Sequence, residues 1–238
     1  MIDNEKVGAV IVAAGSSTRM QGVDKTMALL GERPLLAHTL DVFQQSDYVD
    51  HIVLVLNNDA IEQGGSFTEE YGFSKVSDIC AGGQLRADSV AEGLQRIGDC
   101  SWVIVHDGAR PCLSEHLIEQ GLKEASETGA AIAATPVKDT VKLVGPNSLI
   151  SGTPSRGHLW MAQTPQVFLR DVIIKAYGNR NRSATDDAEL VEALGYKVKV
   201  YEGSYDNIKV TTLVDLDIAE SVLRRMGRVA LRKKQRII

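Results

Sequence analysis

The sequence predicts an α/β fold, a mostly parallel twisted sheet with helices on both faces. Two observations carry this. Short continuous apolar runs alternate with helix-period segments almost to the C-terminus, the alternation that parallel strands and crossover helices produce. The first run, Val7–Ala13, is apolar throughout rather than at every second residue, as a strand covered on both faces is.

Pro34 then opens a helix carrying Leu35, Leu36, Leu40 and Phe43, since proline suits a first helical turn. His51–Leu56 reads as a second strand and Lys75–Ile79 as a shorter third. Leu85–Ile97 places Val90, Leu94 and Ile97 on one helical face. Trp102–Val105 is a strand ending at His106-Asp107-Gly108, and Ser114 suits the N-cap of a helix around Leu117–Ala125. Ala130–Thr135 is a further strand. The alternation then breaks: Thr140–Val144 and Leu149–Thr153 flank Gly145-Pro146-Asn147-Ser148, a hairpin signal. Such a hairpin is either a surface excursion or an arm that clasps a second copy. Leu169–Tyr177 and Asp186–Leu194 read as helices, Lys197–Tyr201 and Ile208–Val210 as strands, and Asp215–Met226 as a closing helix with Leu216, Ala219, Val222 and Leu223 inward. One domain, 1–238, with an arm at about 137–156 and a basic tail at 229–238, accounts for this order.

Composition excludes several classes. With 44% apolar and 24% charged residues in 238, the chain is of ordinary globular make-up, neither disordered nor collagen-like. No apolar run approaches the length of a membrane span, and the N-terminus lacks a signal peptide's basic start, so the expectation is a cytoplasmic protein without a membrane partner. Cys80, Cys100 and Cys112 make no disulfide framework, and the five histidines show no zinc spacing. The net charge of -5 is uneven, since Arg224, Arg225, Arg228, Arg232, Lys233, Lys234 and Arg236 stand at the C-terminus without an acidic neighbour after Leu223. A helix end with favourable cations accounts for that run without a nucleic-acid partner.

Ligands of open α/β sheets bind beyond the carboxyl ends of the strands, and four clusters fall there. Ala13-Ala14-Gly15, with Arg19 and Lys25, suits an anion, because small residues let backbone N–H groups approach it. It lacks the second glycine of a Walker loop. Gly82-Gly83, followed by Arg86 and Ser89, opens a helix; the plain alternative is a glycine turn with Arg86 on the surface. His106-Asp107-Gly108-Ala109-Arg110 puts an acid and a base at a strand tip, for a metal and a polar ligand or for an internal ion pair. The last cluster gathers Arg156, Thr164, Thr185 and Asp206 with Lys209, where Thr185-Asp186 also suits a helix cap and Asp206-Asn207 a turn.

Taken together, Ala-Ala-Gly-x-x-x-Arg-Met…Lys, Gly-Gly-x-x-Arg-x-x-Ser, Asp-Gly-Ala-Arg-Pro, Lys-Asp-Thr, Thr-Pro-Gln, Thr-Asp-Asp and Asp-Asn-Ile-Lys-Val-Thr resemble the 2-C-methyl-D-erythritol 4-phosphate cytidylyltransferases from about Val7 to Glu220. The resemblance implies a Rossmann-like nucleotidyltransferase fold and a homodimer joined through the β-arm. It implies transfer of CMP from CTP to methylerythritol phosphate, with release of pyrophosphate, in non-mevalonate isoprenoid synthesis, and Mg²⁺ or another divalent cation as cofactor. By resemblance, Ala13, Ala14 and Gly15 form the nucleotide loop, and Arg19 and Lys25 are the triphosphate cations. Gly82, Gly83 and Ser89 hold cytosine and ribose, while Asp107 and Ala109 meet CTP and its metal. Arg110, Thr140, Arg156, Thr164, Thr185 and Lys209 hold the acceptor, with Asp206 nearby. Ser17 replaces a glycine common in the first loop, a change tolerable where φ is negative. The chain as read is too short for the cyclase domain of bifunctional relatives. A ribitol 5-phosphate cytidylyltransferase is the nearest rival; Ala109, where those enzymes tend to be bulkier, favours the methylerythritol acceptor. More distant rivals are a sugar-1-phosphate nucleotidyltransferase and a silent binding module on the same fold. The chemistry asks for cations and no general base: a phosphate monoester, with its second pKa at about 6, is already a nucleophile, and the charge that builds at the α-phosphate needs fixed positive groups.

Overall fold

The structure is a computed structural model, which describes residues 5–15, 26–179 and 184–230. Arg19, Lys25, Ser17 and residues 231–238 of the basic tail lie outside them.

A seven-stranded sheet carries the fold. β1 (Val7–Val12) lies between β4 (His51–Leu56) and β6 (Trp102–Asp107), and β5 (Val76–Ala81) closes the β4 side. Beyond β6 come β10 (Trp160–Leu169), β7 (Ala130–Pro136) and β11 (Lys199–Glu202). β10 runs antiparallel to both neighbours, while the other pairs are parallel. β1, β4 and β6 are almost wholly buried, as their unbroken apolar runs require.

Helices cover both faces. Alternate residues of β1 point to opposite sides: Ala9 and Ile11 join a cluster with α1 (Leu35–Gln45), α2 (Ile61–Glu70) and α4 (Glu115–Thr128), through Leu40, Phe67 and Leu117. Val10 joins Val90 of α3 (Arg86–Arg96), Ile173 of α5 (Arg170–Gly178) and Leu190 of α6 (Asp187–Ala193). A third cluster seats α7 (Leu213–Arg225) through Ala219, Val222 and Leu223 on Leu30 of the small β2 (Leu29–Leu30)–β3 (Arg33–Pro34) hairpin and on Val210. The expected hairpin is present as β8 (Leu143–Val144) and β9 (Ile150–Gly152), outside the main sheet, with Leu143, Val144, Leu149 and Ile150 exposed.

Several features depart from the sequence reading. β10, a central strand, was not expected; Gln163, Thr164, Pro165 and Gln166 interrupt its apolar run, and proline cannot donate to a ladder. A register shift between Ala162 and Gln166 accommodates them. α2 was hidden by Gly64 and Gly65, poor helix residues; Gly64 packs where a Cβ would stand 2.8 Å from Leu56. Ile208–Val210 is no strand: its N–H groups bond locally, from Ile208 to Asp206 O at 2.8 Å, and across to the cleft loop, from Val210 to Ala109 O at 2.8 Å. The third strand begins and ends later than Lys75–Ile79, at Val76–Ala81.

Candidate functional site

From β1 the chain passes to β4 and β5 on one side of the sheet, then returns to β6 on the other. The carboxyl ends of β1 and β6 therefore flank a topological switch point, where open sheets leave a crevice. A cleft of about 330 Å³ opens there, lined by Ala13, Ala14, Gly15, Gly83, Arg86, Ser89, Asp107, Ala109 and Lys209 among others.

Each wall has a local cause. The chain leaves β1 at Ala13, whose N–H donates to Val55 O at 2.8 Å, and leaves β6 at Gly108, whose N–H donates to Val12 O at 2.8 Å. The two loops thus continue the sheet ladder into the cleft. A Cβ on Gly82 would lie 2.3 Å from that of Ala14, so glycine alone lets the second turn meet the first loop. Gly83 N–H donates to Ser89 Oγ at 3.2 Å, which ties the turn to α3.

Asp107 is the electrostatic centre. It is 6% exposed and holds three cations: Arg86 Nε at 2.9 Å on Oδ1, Lys209 Nζ at 2.8 Å on Oδ2, and Arg110 Nε at 3.6 Å on Oδ2. Burial alone would raise its pKa, but Arg86, Lys209 and Arg110 outweigh that and hold the carboxyl well below the usual range. Beneath it, Asp107 N–H donates to Thr164 Oγ1 at 3.1 Å. Arg110 is buried and donates through Nη1 to Asn207 O at 2.6 Å; desolvation lowers its pKa, with Asp107 acting in opposition. Asn207 Nδ2 in turn donates to Thr164 O at 2.8 Å and Gln163 Oε1 at 3.2 Å. This buried amide fixes the segment that carries Lys209.

The remaining expected residues stand elsewhere. Thr185 is exposed, and its N–H and hydroxyl both donate to Glu189 as part of the cap that Asp186 makes for α6. Asp206 pairs with Arg225 of α7 at 2.5 Å and does not line the cleft. Thr140 and Arg156 are exposed on the hairpin segment, where Arg156 Nη1 donates to Lys138 O at 2.8 Å. Arg86 corrects the surface alternative: it lines the cleft and pairs with Asp107 and with the buried Asp187. Its helix-first position after Gly82-Gly83 was the signal for it. Asn207 had a signal only as part of a turn.

The donor set does not fit a metal held by the protein alone. Asp107 is the one carboxylate among the described lining residues, its oxygens already face three cations, and no group of three or more His, Cys, Asp or Glu converges among the described residues. What the cleft offers is a cationic floor bordered by backbone-lined loops, a receptor for a polyanion.

Comparison with known proteins gives the same direction. Residues 7–225 match the family model described as IspD: 2-C-methyl-D-erythritol 4-phosphate cytidylyltransferase. A protein of that name from Dehalococcoides mccartyi (strain 195) is 52% identical over 225 residues, covering 94% of this chain and 99% of the relative. One from Alkaliphilus oremlandii is 46% identical, covering 94% and 98%. The crystal structure of 4-diphosphocytidyl-2C-methyl-D-erythritol synthase from Anaerococcus prevotii superposes with a TM-score of 0.82 at 33% identity, over 94% of this chain and 98% of that one.

Proposed function

The chain belongs to the 2-C-methyl-D-erythritol 4-phosphate cytidylyltransferase family, and on that premise we propose that its cleft transfers CMP from CTP to 2-C-methyl-D-erythritol 4-phosphate. The observation that carries this reading is the convergence of the Ala13–Gly15 loop, the Gly83–Ser89 turn, Asp107, Ala109 and Lys209 at one switch-point cleft.

An oxygen of the acceptor phosphate attacks the α-phosphorus of CTP. The new P–O bond makes the diphosphate, the bond to the β-phosphate breaks, and pyrophosphate leaves. No proton has to be removed first, since the monoester is largely dianionic at neutral pH. The protein's task is to align two anions and neutralise the charge between them. Gly82, Gly83 and Ser89 take the cytosine and ribose side. Ala13, Ala14 and Gly15 take the triphosphate with Arg19 and Lys25, whose positive charge acts as the charge builds. Lys209 faces the acceptor phosphate, and Arg110 and Thr164 brace it from beneath through Asn207 and Asp107. Mg²⁺, or another divalent cation, enters as part of the substrate, since it keeps phosphate oxygens and water as most of its ligands; Asp107 is the carboxylate it would approach. Thr185 and Asp206 reach the acceptor only by leaving Glu189 and Arg225.

Thr140 and Arg156 support a dimeric reading. They lie on the hairpin and outside their own chain's cleft lining, so an acceptor role for them asks the arm, about 137–156, to serve a second copy's cleft. The chain then works as one domain with an inserted arm. Among the described residues no helix is long and apolar enough to cross a membrane.

The test is pyrophosphate release with CTP and Mg²⁺, methylerythritol phosphate and ribitol 5-phosphate being offered side by side. Strong preference for the first is expected. Preference for ribitol phosphate would overturn the acceptor, and release with neither would overturn the reaction.

A further inference from the structure

Arg86 joins parts of the molecule that the reaction must keep in register. It is the first residue of α3, three positions after Gly83. Its Nε meets Asp107 at the tip of β6 at 2.9 Å, while Nη1 and Nη2 meet Asp187 at the start of α6 at 3.1 and 2.9 Å. One planar guanidinium thus pairs two carboxylates, a geometry that a lysine ammonium cannot reproduce.

The far end of this brace is rigid. Asp187 is fully buried and also accepts from Tyr177 Oη at 2.5 Å. Gln166 of β10 accepts from Ala188 N–H at 3.1 Å and donates to Asp186 at 2.9 Å, which seats the start of α6 on the sheet. The near end is the carboxylate that determines where Lys209 stands: Lys209 Nζ rests on Asp107 Oδ2 while Arg86 holds Oδ1.

We propose that Arg86 is a positioning residue: by pairing with Asp187 and Asp107 at once, it fixes the Asp107 carboxylate and through it the Lys209 ammonium in the cleft. This rests on the cytidylyl-transfer reading, in which Lys209 faces the acceptor phosphate. Arg86 then acts through Lys209 and not by its own contact with substrate. Asp107 serves first as the organiser of the cleft's cations.

A double-mutant cycle between position 86 and Lys209→Ala tests this by steady-state pyrophosphate release. Arg86→Lys keeps the charge and loses the fork. It is expected to raise KM for the acceptor by up to about 10-fold, no more than the loss of Lys209 itself does, with KM for CTP little changed. In the Lys209→Ala background the same change is expected to cost about twofold or less, the margin within which independent sites add. Equal losses in both backgrounds would mean that Arg86 acts by direct contact, and would overturn the proposal. So would an unchanged KM for the acceptor in a protein that still unfolds cooperatively. Should Arg86→Lys leave Asp187 too poorly paired to fold, the double variant Arg86→Gln/Asp187→Asn removes both charges and enters the same cycle with the same expectations. A wild-type chain that released no pyrophosphate would instead overturn the functional reading on which this one rests.

Discussion

Lys209 and His106 stand near one carboxylate and respond to it in different ways. Lys209 is partly exposed and faces the cleft, so its loss should appear in acceptor use. Lys209→Ala is expected to raise KM for the acceptor by about 10-fold or more, on the scale of a lost charge-assisted bond, with KM for CTP little changed; separate titrations of the two substrates check this. A defect confined to CTP would move Lys209 to the nucleotide. His106 lies in the core beside Phe43, with ring centroids 5.2 Å apart. Burial lowers its pKa to about 3, against the pull of Asp107. The unfolded chain, with an ordinary histidine, takes up this proton below about 6.5 while the folded chain refuses it. Unfolding therefore binds a proton in that window, and stability falls as pH drops from about 6.5 to about 3, by on the order of a few kcal/mol. His106→Leu should remove this part of the acid dependence. Urea midpoints measured across that pH range give the slope, and an unchanged slope would assign the acid loss to other groups.

At the scale of elements, the glycine turn before α3 decides whether the cleft can close around a nucleotide. A Cβ at Gly82 meets Ala14 at 2.3 Å and Ser89 Oγ at 2.6 Å, so a methyl group there separates two walls of the site. Gly82→Ala is expected to raise KM for CTP by about 10-fold or more and to cost about 1–3 kcal/mol of stability, as overpacking does. Gly65→Ala is the matched control. Position 65 lies in α2 with nothing within 4 Å of a new Cβ, so this change should stabilise by about 0.4–1 kcal/mol and leave KM unaltered. Denaturant unfolding together with CTP titration separates the two effects.

For the whole molecule, the sheet places its cleft at the switch point, while the hairpin holds Thr140 and Arg156 outside that cleft's lining. Exposed Leu143, Val144, Leu149 and Ile150 give the hairpin an apolar surface that suits a second copy. If Arg156 serves the neighbouring cleft, the Arg156→Ala and Lys209→Ala variants, both impaired at acceptor concentrations below their raised KM, should regain activity when co-refolded. The hybrid then contains one cleft with both residues intact, so recovery should approach half the wild-type rate per hybrid dimer, or about a quarter for the statistical mixture of dimers. No recovery, or a monomeric mass by light scattering, would return Arg156 to its own chain or remove it from the site.

The fold class, the strands whose apolar runs are unbroken, and the motif order that identifies the family are legible in the chain alone. Those features are local: His51–Leu56 is a strand because every neighbour agrees, and Gly82-Gly83 announces a turn wherever it occurs. The place of β10 in mid-sheet comes from long-range packing, since its Thr164-Pro165-Gln166 run denies the local signal and is tolerated because Asp107, Asn207 and Asp186 satisfy its polar groups. Only the tertiary structure turned Arg86 from a surface possibility into the link between Asp107 and Asp187, residues 21 and 101 positions away. Charge pairs at such separations leave no periodicity in the chain. They exist once the sheet has brought the strand ends together and excluded the water that would otherwise screen them.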